Sequence, residues 1–107
     1  MVVSSIVLGE LLAGFALGSR EEKNRKELQQ FLASTRVTVV VADEQTAAYY
    51  AAVYRGLRAK GRPIPTNDLW IAATAIQHGC VLFSFDRHFQ AVDGLIVGAT
   101  ATELGLP

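Results

Sequence analysis

The chain has 107 residues, half of them hydrophobic and 19% charged. That length and balance mean one globular domain of the usual size of roughly 100–200 residues, and they exclude a disordered or collagen-like chain. Ten basic residues against ten acidic ones leave no net charge, so any contact with nucleic acid has to come from a local patch.

Residues 1–18 are apolar apart from Ser4, Ser5 and Glu10. They lack the basic start of a signal peptide, since the first basic residue is Arg20. They are also short for a membrane span, and a mid-segment glutamate is costly in lipid. Residues 4–17 instead predict a helix buried on most sides, with Ile6, Ala13 and Leu17 on one stripe and Glu10 embedded in it. The single cysteine gives no support to an oxidising compartment, so a cytoplasmic protein away from membranes is expected. Ser19-Arg20-Glu21-Glu22 has capping-box spacing for a second helix over 20–33, a surface helix with one narrow seam of Leu28, Phe31 and Leu32.

Residues 37–41 are β-branched almost throughout and predict a strand buried on both faces, the first strand of the chain. Asp43 caps a long third helix to about residue 60, with Ala47, Tyr50, Ala51, Tyr54 and Leu57 as its stripe, and Gly61 and Pro63 stop it. Thr66 or Asn67 caps a fourth helix over 68–78, ended by Gly79. Residues 81–84 predict a second buried strand, 86–90 a single helical turn, Asp93-Gly94 a turn and 95–97 a third strand. Helices interleaved with short apolar strands predict an α/β fold with a short parallel sheet flanked by helices, in one domain spanning 1–107. Three short strands make a thin sheet for four helices.

Of the ten acidic residues, seven lie in polar stretches, caps or turns. Glu10 lies among Ile6-Val7-Leu8-Gly9 and Leu11-Leu12-Ala13, where an ionised carboxylate in a core is expensive unless paired or bound to metal; the alternative is a helix that shows Glu10 to solvent. Asp68 opens a helix, where the macrodipole alone favours it, but it shares a face with Ile71, Ala72 and Ala75. Asp86 follows the strand at 81–84, at the end where open α/β sheets place ligands, and equally suits a cap for the turn after it. Three oxygen donors without a histidine cluster suit a hard cation such as Mg²⁺ or Mn²⁺. Arg58, Lys60 and Arg62, just ahead of Asp68, read either as a solvated helix end or as a guide for a phosphate backbone, with Arg87 a further candidate. Cys80 with His88 and Asp86 can be drawn as a thiol triad, although a free cysteine before a buried strand is ordinarily core. No glycine-rich phosphate loop is present.

Three segments in order, Val3-Ser4-Ser5-Ile6-Val7-Leu8-Gly9-Glu10-Leu11, Thr66-Asn67-Asp68-Leu69-Trp70-Ile71-Ala72-Ala73 and Phe83-Ser84-Phe85-Asp86-Arg87-His88-Phe89, resemble the PIN-domain ribonucleases, specifically the VapC toxins of VapBC toxin–antitoxin systems. The resemblance covers nearly the whole chain. It implies a three-layer α/β fold, RNA cleavage at a Mg²⁺ or Mn²⁺ site with Glu10, Asp68 and Asp86 as ligands, and Thr66, Asn67 and Ser84 in support. It also implies a homodimer and a cognate VapB-like antitoxin. Family domains open with a central strand ending in Asp, and this chain starts at the segment that follows. The expectation is therefore a sheet without that strand, a site short of one acid, and weak or absent cleavage. A domain so impaired would persist as an antitoxin-binding module; a Cys80-dependent hydrolase is the remaining alternative.

Overall fold

In a computed structural model that describes residues 2–83 and 87–98, the chain divides into two units, Met1–Val41 and Ala42–Pro107. In the first, strand β1 (Val2–Ser4) runs straight into helix α1 (Ser5–Leu17), followed by α2 (Glu21–Leu32) and strand β2 (Thr38–Val40). β1 and β2 pair in parallel with Val3 opposite Val39. A strand at the N-terminus was not expected. Three extended residues carry no periodicity of their own, and Ser4 serves two elements at once. It ends β1 and, at φ −75° and ψ 140°, caps α1 by accepting the Ile6 N–H at 3.0 Å.

Three other expectations for this unit are corrected. The box at Ser19 does not form: α2 starts at Glu21 with Arg20 at its N-cap and no capping side chain. Glu21 and Glu22 in the first turn meet the helix dipole instead. β2 is shorter than 37–41 and is not buried on both faces, since Val39 and Val41 are exposed. Finally, α1 buries none of its residues, and Leu17 is 92% exposed. Its hydrophobic sequence needs cover on several sides, and within this unit α2 offers only the narrow seam. Leu8 and Leu12 meet Leu28 and Leu32 around a small apolar cleft.

The second unit holds α3 (Glu44–Ala59), α4 (Thr66–Gln77), β3 (Leu82–Phe83), a 3₁₀ turn (Arg87–Ala91) and β4 (Val97–Gly98). α3 starts where the sequence indicates. Asp43 Oδ1 accepts the Thr46 N–H at 2.9 Å and Thr46 Oγ1 accepts the Asp43 N–H at 3.0 Å, a reciprocal capping box. Both helices end alike. Gly61 and Gly79 take φ +65° and +63°, and the amides after them, Arg62 and Cys80, donate back to Leu57 and Ala75 at 2.9 Å. Glycine takes that left-handed conformation without the Cβ clash, and the turn satisfies carbonyls the helix leaves open.

α3 and α4 pack as an antiparallel hairpin. The buried residues of α3 are Thr46, Val53 and Leu57, with Tyr50 half-buried, so the stripe lies part of a turn away from the expected one; Ala47, Ala51 and Tyr54 are exposed. Against it α4 buries Leu69 and an unbroken run from Ile71 to Ala75. Each buried leucine or valine contributes about 1.5–3 kcal/mol of transfer free energy. Phe89 and Val92 close the lower side, and Lys60 ties the end of α3 to the following loop through Asp93 Oδ1 at 2.7 Å and the Ala91 carbonyl at 2.8 Å.

The helix predicted over 68–78 begins two residues earlier, on Pro65, so Thr66 and Asn67 are first-turn residues rather than caps. Proline's fixed φ and extended ψ 150° deliver the chain into the helix without a side-chain cap. β3 and β4 pair in parallel, Leu82 opposite Val97. β4 therefore lies further along the chain than the strand predicted over 95–97. The parallel strands and four helices are the predicted α/β class.

Candidate active site

Asp68 is the third residue of α4 and is half-buried. The three residues predicted to share its face, Ile71, Ala72 and Ala75, are all buried. The carboxylate thus stands at the end of the best-packed helix of the unit, on its packed side. Thr66 and Asn67, in the same first turn, are exposed.

Glu10 belongs to the other unit and is exposed on α1. The cost of burying its charge therefore does not single it out, and the expectation of an embedded carboxylate is corrected; an exposed face of α1 accounts for it. Asp86 and Ser84 lie outside the described residues. Among the described residues no three of the His, Cys, Asp and Glu side chains gather in one place.

Of the basic candidates, Arg58 and Arg62 are exposed near the end of α3. Arg58 Nη1 donates to the Tyr54 hydroxyl at 3.3 Å. Lys60 is committed to Asp93 in an ion pair. Arg87 opens the 3₁₀ turn, its side chain outside the described residues. Cys80 is half-buried and its Sγ points a weak donor at the His78 carbonyl, 3.5 Å away.

Two arrangements were not anticipated. Asp43 Oδ1 accepts from Thr46 Oγ1 at 3.0 Å and from Gln77 Nε2 at 3.2 Å besides the capping amide. The Thr46 backbone amide and hydroxyl and the Gln77 amide hold this carboxyl below the usual carboxylate range. Tyr50 stands between Tyr54, with ring centroids 6.5 Å apart and planes 11° off parallel, and Trp70 at 4.3 Å. The i,i+4 spacing of Tyr50 and Tyr54 was the available signal for that series.

The family model for the PIN domain matches residues 1–95. Ribonuclease VapC4 of Mycobacterium tuberculosis is 33% identical over 90 residues, 84% of this chain and 69% of the relative. Ribonuclease VapC1 of Haemophilus influenzae strain R2866 is 35% identical over 97 residues, 89% of this chain and 70% of the relative. Among solved structures, VapBC2 from Rickettsia felis bound to a promoter DNA fragment superposes with a TM-score of 0.79 at 32% identity, covering 91% of this chain and 72% of that one. DNA-bound VapBC from Salmonella typhimurium gives 0.80 at 29%, covering 92% and 74%. The chain belongs to the PIN-domain family. Within that family it is of the VapC type.

Proposed function

We propose that this chain is the ribonuclease toxin of a toxin–antitoxin pair, cutting RNA phosphodiesters with the help of a divalent cation, and that residues 1–107 act in it as one PIN unit. The observation that carries the reading is Asp68, a carboxylate rigidly placed at the start of a buried helix within the Thr66–Ala73 segment. The relatives named ribonuclease VapC support it.

Asp68, Glu10 and Asp86 would hold the cation, and an all-oxygen donor set fits Mg²⁺ or Mn²⁺. When bound, such an ion acidifies an attacking water and offsets charge on a phosphoryl oxygen. The chain's own residues do the rest. Buried Ile71, Ala72 and Ala75 fix the helix that carries Asp68. Thr66, Asn67 and Ser84 would support the ligands with hydroxyl and amide groups. Arg58, Arg62 and Arg87 neutralise the RNA backbone. Lys60 joins them only by leaving both Asp93 and the Ala91 carbonyl.

The partner is a VapB-type antitoxin, as in the complexes of the Rickettsia and Salmonella relatives. The uncovered apolar side of α1, with Leu17 and the cleft between Leu8, Leu12, Leu28 and Leu32, favours a protein partner there. That same surface supports the second reading, a module that binds antitoxin without cutting RNA. A homodimer in the cytoplasm completes the proposal; no described helix is long and apolar enough to cross a membrane.

End-labelled single-stranded RNA incubated with the full chain tests it. Whatever cleavage the chain shows, weak as a site short of one acid would make it, should need Mn²⁺ and stop with EDTA, and Asp68→Asn should slow it by about 10²–10³, the usual effect of removing one electrostatic contact at a reacting centre. Cleavage that survives EDTA, or an undiminished Asp68→Asn protein, overturns the reading. Antitoxin binding without any Mn²⁺-dependent cleavage selects the second.

A further inference from the structure

The ends of α3 and α4 enclose a pocket of about 170 Å³ lined by Tyr54, Leu57, Arg58, Pro63, Ile64 and Leu69. That is well below the roughly 300 Å³ at which pockets for drug-sized ligands begin, and it suits a single flat ring system. Its walls are almost wholly apolar, and no acidic residue lines it. At its edge Tyr54 is 47% exposed and ends the aromatic series that runs through Tyr50 to Trp70. Arg58, held to the Tyr54 hydroxyl, sets a cation on the rim, and Arg62 is exposed four residues on. Leu69, in the wall, directly follows Asp68.

We propose that this pocket receives a nucleobase of the RNA substrate, stacked on Tyr54, with Arg58 against the adjoining phosphate. The proposal rests on the ribonuclease reading and adds to it a subsite that selects unpaired RNA. An apolar recess with a cationic rim matches an aromatic base on an anionic backbone. Base–aromatic stacking with arginine on the backbone is how single strands are held without pairing. An apolar side chain of a protein partner would fill the recess but leave the charge of Arg58 and Arg62 unanswered. Duplex RNA would be rejected, because its stacked bases cannot enter.

The test uses the full chain in EDTA, so that nothing is cut, and fluorescence anisotropy with two labelled probes. One is a single-stranded RNA octamer of mixed sequence and the other an octamer with abasic riboses. The RNA should bind about ten-fold more tightly than the abasic probe, the scale of one stacked base. Tyr54→Ala should remove that difference and Tyr54→Phe should keep it. Ile64→Trp, which fills the recess from the loop, should remove it without touching Tyr54. Arg58→Gln should weaken both probes alike and lower the salt slope by about one.

If Tyr54→Ala and Ile64→Trp both keep the full difference while Mn²⁺-dependent cleavage persists, the pocket is overturned and the ribonuclease reading stands. If those variants bind RNA normally but lose the antitoxin, the occupant is protein and the proposal is again overturned. A wild-type chain that binds neither probe and cuts no RNA takes down both.

Discussion

Asp43 is a carboxylate held by three donors. One oxygen serves the Thr46 amide, the Thr46 hydroxyl and the Gln77 amide, joining the start of α3 to the end of α4. All three favour the ionised form, so its pKa is lowered from the ordinary 3.8, led by the Thr46 backbone amide. A carboxyl depressed in the folded state stabilises the fold above its unfolded pKa and loses that contribution as pH falls through the folded value. Urea denaturation followed from neutral pH into the acid range should therefore show stability falling below about pH 4, with Asp43→Asn flattening that limb. Thr46 is fully buried. Thr46→Val removes the hydroxyl that donates to this carboxylate and accepts the Asp43 N–H, and should cost about 1–3 kcal/mol at neutral pH. An Asp43→Asn protein with an unchanged acid limb would show that another carboxylate governs it.

The α3–α4 hairpin depends on small residues in the same way. Ala72 and Ala73 have no exposed surface, so a larger side chain at either position has to push the helices apart. Ala73→Leu should destabilise by about 1–3 kcal/mol, read from the urea midpoint at unchanged slope. A neutral result would mean that the interface is loosely packed. Both helices were legible in the sequence because their ends are written in local chemistry: Asp43 at one start, and Gly61 and Gly79 at the stops. The stripe of α3 was not, because its alanines and tyrosines give two adjacent faces similar hydrophobicity and the buried polar Thr46 marks neither. Strand β1 escaped for a different reason: three residues are too few for a period, and their partner β2 lies over thirty residues away. The packed side of α4 next to Asp68 was legible because Ile71, Ala72 and Ala75 share that face, although the start of the helix was not. Glu10 misled, since an apolar sequence around a carboxylate implies burial only where something covers the helix. The aromatic pocket was invisible because Pro63 read only as the stop of a helix.

At the scale of the molecule the two units differ in how much they bury. The second has a core of Val53, Leu57, Leu69 and the Ile71–Ala75 run. In the first, α1 buries nothing, and Leu11, Leu17 and Phe31 face outward. The unit with the core carries Asp68 and the apolar pocket beside Tyr54; the unit with uncovered apolar surface carries Glu10. The chain spans about 70% of the length of the relatives Ribonuclease VapC4 and VapC1, and its family match runs through both units.

Titration of Mn²⁺ into the full chain, followed by the electron paramagnetic resonance of the free ion, tests whether Asp68 anchors a divalent-cation site without depending on the rate of RNA cleavage. The chain should take up a Mn²⁺ ion, and Asp68→Asn should weaken that uptake at least about ten-fold, equivalent to some 1.4 kcal/mol of binding free energy. Uptake that is the same in both proteins, or absent from the wild type, would contradict it.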